Sequence, residues 1–475
     1  MKRKNEIVQL NIEAIGFQGI SIARKEGLVY FVKGAVPGDK VNAQVRRKKK
    51  NHIECELAEL LEPSPLRVKP QCGYFGICGG CSWQHLDYNE QLRWKKQHVL
   101  DAFQRIGKIE VAQFEDTLPS PEIFNYRNKM EFSFGNSRWL TSDEINSSND
   151  ISNKDFALGL HIPGRFDKVL DVERCHIQNE YGNDILKIIK SKAIDCNVTA
   201  YDSRANEGFL RNLIIRSTVA SKEIMVILIT NSVHNDEEQA YIDWYDNEFA
   251  KNDNKISVVG RAVNATRSPV ATEKPIITKG NDYITENILG IDFKISPYSF
   301  FQTNSKQLNN FIAEIINRAD LKPTDTVWDL YCGTGSISLP ASKKCKEIIG
   351  IEMFEGSVED ARNNANSNGI VNANFICSDL HEKRIPELLS VLPKPDVIII
   401  DPPRAGMHAN LLNHLLEIGA NRIVYVSCNP TTQARDCALL SEIYNVVSVK
   451  PVDMFPHTFH VEAIAVLEIR NPIHN

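Results

Sequence analysis

The chain has 475 residues, 42% hydrophobic and 24% charged, with a formal net charge of −5 and eleven cysteines. This length supports two to four domains with cores large enough to need no disulfide scaffold. The composition excludes a disordered, collagenous or disulfide-stapled secreted chain. The first sixteen residues, MKRKNEIVQLNIEAIG, contain no apolar signal core, and the longest apolar runs are far too short to cross a bilayer. A soluble, cytoplasmic protein with no membrane association is the expectation.

Charge is unevenly spread. Residues 1–60 hold 12 Lys/Arg against 7 Asp/Glu, so the rest of the chain carries the acidic excess. Within this basic part, Val41-x-Ala43-x-Val45 and Ile53-x-Cys55-x-Leu57 alternate with period two on either side of Arg46-Arg47-Lys48-Lys49-Lys50. Such alternation predicts half-buried strands, and about five of them would close a small barrel over residues 1–62. The basic run has two readings: a solvated hairpin tip, or a contact for nucleic-acid phosphates.

Residues 63–115 read as a cysteine-rich loop followed by a helix. In QCGYFGICGGCSWQHL, Cys72, Cys78 and Cys81 sit among glycines that let the backbone wrap closely around a ligand. Clustered cysteines in a reducing compartment are more often metal ligands or catalysts than disulfides. The run QLRWKKQHVLDAFQRIG carries an apolar stripe at Leu92, Val99, Leu100 and Phe103 and predicts a helix. Residues 116–295 read as a β-rich domain, with strand-like runs KMEFSFG, FALGLHI, LIIRSTV and IMVILIT. Its polar stretch 142–155 predicts an exposed loop.

From residue 296 helical stretches alternate with the strand-like runs TVWDL, EIIGIEM, ANFIC, DVIIID and RIVYVS, the signature of a parallel sheet flanked by helices. VVSVKPVDM and HVEAIAVLEI follow without a helix between them and predict an antiparallel edge hairpin. The fold class is therefore multidomain β and α/β, with an OB-like barrel, a β-rich centre and a C-terminal Rossmann-like domain over 296–475.

The chemistry concentrates in that last domain. After TVWDL comes Tyr331-Cys-Gly333-Thr-Gly335-Ser336, a glycine turn into a helix. A dinucleotide fingerprint wants a third glycine where Ser338 stands, so NAD is disfavoured. Asp329 precedes the glycines and Glu352 closes the next strand, which fits a carboxylate on ribose hydroxyls and acids around the cationic ligand S-adenosylmethionine (SAM). Asp379 and Asp401 follow the third and fourth strands, and Cys428 the fifth. Ligands in open α/β sheets lie outside the strands' carboxyl ends, so Asp329, Glu352, Asp379, Asp401 and Cys428 are expected along one edge.

A methyl donor makes Cys428 interpretable. Carbon 5 of a pyrimidine is a weak nucleophile. A thiolate adding to carbon 6 turns the ring into an enolate whose carbon 5 can attack a methyl cation equivalent, and a base must then remove the carbon-5 proton. His460-Val461-Glu462 in the last strand supplies a carboxylate for that step.

The motifs Ser299-Phe-Phe-Gln302-Thr-Asn, Asp329-Leu-Tyr-Cys-Gly-Thr-Gly335, Asp401-Pro-Pro-Arg404, Ser427-Cys-Asn-Pro430 and His460-Val-Glu462, in this order, resemble the RNA uracil-5 methyltransferase family, in particular its ribosomal-RNA branch with an N-terminal TRAM domain. The resemblance spans essentially the whole chain. It implies Cys428 as nucleophile, Glu462 as proton acceptor, and Gln302, Tyr331, Ser336, Glu352, Asp379 and Asp401 as SAM-binding positions, with Asp401 also beside the target base. Tyr331 and Ser336 depart mildly from residues common in relatives. The 5-methylcytosine enzymes, which usually place the cysteine after proline, fit less well, since the chain has no Pro-Cys dipeptide. The resemblance further implies Cys175 as a fourth ligand beside Cys72, Cys78 and Cys81, for a 4Fe-4S cluster; zinc is the alternative for four thiolates. RNA is the implied partner, 23S rRNA ahead of tRNA, reached by base flipping. Arg46 to Lys50 and the strand residues Arg127 and Lys129 are the expected RNA contacts, and no protein partner is called for. A non-catalytic RNA-binding factor is the reading from another functional class.

Overall fold

The computed structural model describes residues 6–147, 153–268, 273–382 and 385–470. The N-terminal strands β1 (Ile7–Asn11), β2 (Ala14–Ile15), β3 (Ser21–Lys25), β4 (Leu28–Lys33), β5 (Lys40–Lys48) and β6 (His52–Glu62) form one sheet ordered β1-β5-β6-β4-β3-β2. Val41, Ala43, Ile53 and Cys55 are buried against Leu10, Ala23 and Val32, as their alternation requires. A sixth strand of two residues joins the five expected. The basic run lies at the exposed β5–β6 tip, where Arg46, Lys48 and Lys49 pair with Glu56, Glu6 and Glu54. Exposed, salt-screened pairs of this kind contribute little to stability.

The cysteine-rich loop leads into α1 (Tyr88–Asp101), which starts ahead of the expected helix because the Asp87 carboxylate caps the N–H groups of Asn89 and Glu90. It widens into a π-helical turn over 102–107 that ends at Lys108 with φ +52°. β7 (Val111–Phe114) then leaves this segment to pair with a strand more than 300 residues later.

The central sheet contains β8 (Lys129–Gly135), β9 (Arg138–Trp139), β10 (Ala157–Ile162), β11 (Arg165–Asp171), β12 (Leu210–Ser217), β13 (Ile224–Thr230), β14 (Val258–Val263) and β15 (Ile276–Lys279), ordered β15-β14-β13-β12-β8-β10-β11-β9. The expected loop over 142–155 is partly helical: α2 (Ser142–Asn146) is held by a capping box between Thr141 and Glu144, and 148–152 lie outside the described residues. Helices α3 (Glu180–Asp195) and α4 (Asp236–Tyr245) bury Ile185, Leu186, Ile189, Tyr241 and Ile242 in one cluster with Phe132, Leu213 and Leu228 of the sheet.

A hairpin of β16 (Ile284–Ile288) and β17 (Ile291–Ile295) precedes the last domain. There, α5 (Ser305–Ala319), β18 (Thr326–Leu330), α6 (Ser338–Ser342), β19 (Glu347–Glu352), α7 (Glu355–Ser367), β20 (Ala373–Cys377), α8 (Ile385–Val391), β21 (Val397–Ile400), α9 (Ala409–Ile418), β22 (Arg422–Ser427), α10 (Pro430–Leu440), β23 (Tyr444–Val452) and β24 (Glu462–Ile469) alternate as predicted. The sheet order is β20-β19-β18-β21-β22-β24-β23-β7, parallel from β20 to β22. Side chains on its two faces join two separate apolar clusters, one with α5 and α7 and the other with α9 and α10, so both faces are covered. The hairpin is not at the edge. β24, buried along most of its length, is inserted between β22 and β23, and β7 covers β23. Among the described residues no helix is long and apolar enough to cross a membrane.

Candidate active site

β18 delivers the chain into the glycine turn. Tyr331 adopts φ +66°, rare for a bulky residue, and Gly333 and Gly335 follow at +54° and +82°. A Cβ added at Gly335 would stand 3.2 Å from Leu339 and Phe375, so only glycine fits there without displacement. Glu352, at the end of β19, accepts N–H groups from Gly333 (3.1 Å), Met353 (2.8 Å) and Phe354 (3.0 Å). It thereby ties the turn to the next strand. Asp329 departs from expectation: it is fully buried inside β18, accepts the Ser338 hydroxyl, and does not line the edge. Burial, with repulsion from Asp401 and Glu352, pushes its carboxyl up to about 7 despite that bond.

Strand register brings the reactive groups together. β22 and β24 pair antiparallel with Ser427 opposite Ala463, so Cys428, one residue after Ser427, and Glu462, one residue before Ala463, emerge at the same end of this strand pair. The Asn-Pro after the cysteine starts a helix: Asn429 caps α10 through the Thr431 N–H, with Pro430 in the first turn. The Asn429 amide also donates to the Arg404 carbonyl at 2.9 Å, binding the cysteine loop to the Asp401-Pro-Pro-Arg404 turn.

The electrostatics of this corner favour neutral acids. Glu462, 4% exposed, is pushed up to about 8 by burial and then by Asp401, against the Arg404 guanidinium. Burial raises Asp401 to about 7. The Cys428 thiol is raised to about 11 by burial and by Glu462 and Asp401, while the Arg404 charge and hydrogen bond oppose this. His460 is held down at about 4 by burial and by the Arg404, Lys95 and Arg127 charges, so its imidazole is neutral at pH 7.

Cys428, Glu462, Asp401, Gln302, Tyr331 and Glu352 line one cavity of about 960 Å³, with Arg404, Phe300 and Arg127. Ser336, Asp379 and Lys129 lie outside its lining. Asp379 caps the N–H of His381, a lining residue, and Lys129, beside Arg216 across the β8–β12 pair, has its ammonium destabilised mainly by burial. Arg46 to Lys50, at the β5–β6 tip, are not among its lining residues. Sequence reasoning gave Arg404 only a turn motif and missed its charge beside sulfur. It also missed Arg216, buried in the central sheet, whose Nε donates to the Pro297 carbonyl (3.1 Å), and Asn128, whose amide donates to the Gln302 carbonyl (2.8 Å). Both hold the loop that presents Phe300 and Gln302. No local signal distinguished them from other polar strand residues.

Cys72, Cys78, Cys81 and Cys175 line the same cavity, and none is in a disulfide. Burial raises all four thiols, Cys81 to about 12, and their mutual repulsion adds to it at Cys78, Cys81 and Cys175. Gly73 and Gly76 carry no atoms within 4 Å of a Cβ position, which leaves room beside the loop. Among the described residues, no group of three or more His, Cys, Asp and Glu side chains is placed to hold a single metal ion.

Residues 209–470, just over half of the chain, match the family model for tRNA (uracil-5-)-methyltransferases. The chain is 41% identical over 456 residues to an uncharacterized RNA methyltransferase of Bacteroides thetaiotaomicron, covering 95% of this chain and 99% of that protein. It is 38% identical to another from Chlorobaculum tepidum over 98% of this chain and 97% of that one. The crystal structure of the Pyrococcus abyssi tRNA (uracil-54, C5)-methyltransferase in complex with S-adenosyl-L-homocysteine superposes with a TM-score of 0.73 at 27% identity, covering 97% of this chain and all of that one. The chain belongs to the tRNA (uracil-5-)-methyltransferase family and is a SAM-dependent RNA methyltransferase.

Proposed function

We propose that this enzyme methylates carbon 5 of a uridine in 23S rRNA through a covalent Cys428 adduct. The observation that carries the chemistry is the placement of Cys428 and Glu462 at the same end of neighbouring antiparallel strands, on one cavity with the glycine turn. SAM, when bound, supplies an electrophilic methyl group. Glu352 holds the turn and offers its remaining lone pairs to ribose hydroxyls, Tyr331 and Gln302 wall the cavity, and Ser336 and Asp379 support the pocket from just outside its lining. The Cys428 sulfur attacks carbon 6 as its proton passes to solvent water. The Arg404 guanidinium offsets the charge that burial otherwise penalises. The carbon 5–carbon 6 π electrons, held as an enolate, then form the bond from carbon 5 to the methyl group as the methyl–sulfur bond breaks and its electron pair stays on the departing sulfur. Glu462, as carboxylate, takes the carbon-5 proton; the C–H electron pair restores the double bond, and the carbon–sulfur bond breaks to free Cys428. Asp401 faces the same base. A base can reach these groups only when extruded from its stack, at a cost of a few kcal/mol, and the apolar walls from Phe300 and Phe455 offset that cost.

Cys72, Cys78, Cys81 and Cys175 would hold a 4Fe-4S cluster. The all-thiolate donor set fits one, and a cationic centre relieves the penalty that burial places on four thiolates. The cluster would supply a covalent tie between the cysteine-rich loop and the central domain; zinc is the alternative occupant. The N-terminal sheet, read as a TRAM module with Arg46, Arg47, Lys48, Lys49 and Lys50 at its tip, and the strand residues Arg127 and Lys129 would contact RNA phosphates. The Pyrococcus abyssi likeness favours a second reading, a tRNA T-loop uridine. Purified protein, labelled SAM and unmodified 23S rRNA and tRNA transcripts decide between them. Methyl transfer to 23S rRNA is expected, transfer to tRNA alone supports the second reading, and transfer to neither overturns both.

A further inference from the structure

The segment 453–461, which leads into Glu462, buries Met454 and Val461 against the sheet and bonds Leu118 and Asn304 at its start. Its middle is held by the cysteine-rich loop and α1. The Ser82 and Trp83 N–H groups, adjacent to Cys81, both donate to the His457 carbonyl at 2.9 Å. Gln91, fully buried on α1, accepts the His457 N–H at 2.9 Å, and its amide approaches His457 Nδ1 at 3.2 Å. His457 itself sits at φ +64°, a left-handed conformation that persists only when its surroundings enforce it. Lys95, also fully buried on α1, donates to Asp453 Oδ1 (2.5 Å) and to the Phe455 carbonyl (3.0 Å). Tyr126 Oη donates to the Pro456 carbonyl at 3.0 Å.

Two features make this more than general packing. The anchors bind backbone carbonyls and a backbone N–H of consecutive residues, so they set the path of the chain and not merely its neighbours. Those from Ser82, Trp83, Gln91 and Lys95 also act from the loop that carries Cys72, Cys78 and Cys81, and the helix that follows it, onto the residue run that ends at the proton acceptor. Cys428 approaches from β22 and α10, and the glycine turn from β18, by routes that do not cross this segment.

We infer that Gln91 and Lys95 are positioning residues for Glu462: through segment 453–461, the cysteine-rich loop and α1 set the geometry of proton removal from carbon 5, while adduct formation and methyl transfer are set elsewhere. This rests on the reading of Glu462 as proton acceptor. In the step concerned, the Glu462 carboxylate takes the carbon-5 proton, the C–H pair forms the double bond to carbon 6, and the carbon–sulfur pair returns to Cys428.

The test is a single-turnover reaction with methyl-labelled SAM and substrate RNA, separating label in the covalent protein–RNA adduct from label in free RNA. In Lys95→Met/Asp453→Asn the buried pair is replaced without leaving a lone charge. Labelled adduct should form at a rate within threefold of wild type, with its conversion to free methylated RNA slowed at least tenfold. Tyr126→Phe, which removes one hydroxyl, should shift the same partition in the same direction by a few-fold and keeps the test alive if the double variant does not fold. Variants whose adduct and free-product rates fall in equal proportion, or whose partition matches wild type, overturn the inference. Glu462→Gln runs in parallel: failure to accumulate adduct there removes the acceptor role itself, whereas adduct there with an unchanged partition in the positioning variants removes only this inference.

Discussion

Glu462→Gln should make the protein's stability less sensitive to pH, and the size of the effect follows from the site. Folded, the Glu462 carboxyl titrates at about 8, chiefly because it is buried and next because Asp401 is near. Unfolded, a glutamate titrates near 4.3. Between pH 6 and 8 the folded protein therefore holds a proton that the unfolded chain has released, so stability falls as pH rises. The sign follows the rule for a raised acid: its favourable contribution is complete below the unfolded value and is lost as pH rises through the folded one. At about 1.4 kcal/mol per pH unit, easing as pH reaches 8, wild type loses about 2 kcal/mol over this window through Glu462. Asp401, raised to about 7, adds to the loss in both proteins. Unfolding of SAM-free wild type and Glu462→Gln, followed by urea titration at pH 6, 7 and 8, should show the variant gaining about 2 kcal/mol on wild type between the ends of the range. Parallel profiles would refute the claim that this carboxyl is held neutral by its surroundings.

Other outcomes follow from the same geometry. Cys428→Ala should abolish methyl transfer while RNA affinity, measured by filter binding, stays within about threefold. Arg404→Met removes the charge that opposes the raised thiol, so adduct formation below pH 9 should slow at least tenfold and its pH profile move upward; an unmoved profile denies the pairing with sulfur. Glu352→Ala releases three backbone N–H groups, and at about 1.5–3 kcal/mol for a hydrogen bond to a charged group SAM binding by calorimetry should weaken at least tenfold. Anaerobic preparations should carry iron and sulfide that Cys81→Ser loses, and a colourless, zinc-loaded protein would replace the cluster reading.

Much of the fold was legible because period-two and strand–helix alternation report burial directly. Val41, Ala43 and Ile53 point inward, and TVWDL, EIIGIEM and RIVYVS became parallel strands. The site was legible where chemistry attaches to strand ends: Cys428, Asp401, Glu352 and Glu462 all reach the cavity. What failed was whatever depends on distant pairing. Nothing local in VAQF tells that β7 will cover β23, or that β24 will slip between β22 and β23. Asp329 looked like an edge acid, but it stands one residue short of the strand's end, and that places it in the interior against Ser338. Arg216 and Gln91 are polar residues whose roles exist only through a carbonyl 81 positions away and a backbone N–H 366 positions away.

The most direct test replaces the target uridine with 5-fluorouridine, whose carbon–fluorine bond Glu462 cannot break by removing a proton. Incubated with SAM, the enzyme should form a stable RNA adduct, and mass spectrometry of its peptides should place the nucleotide on Cys428. A crosslink at another residue, or release of methylated RNA with no adduct formed, would contradict nucleophilic attack by this thiol.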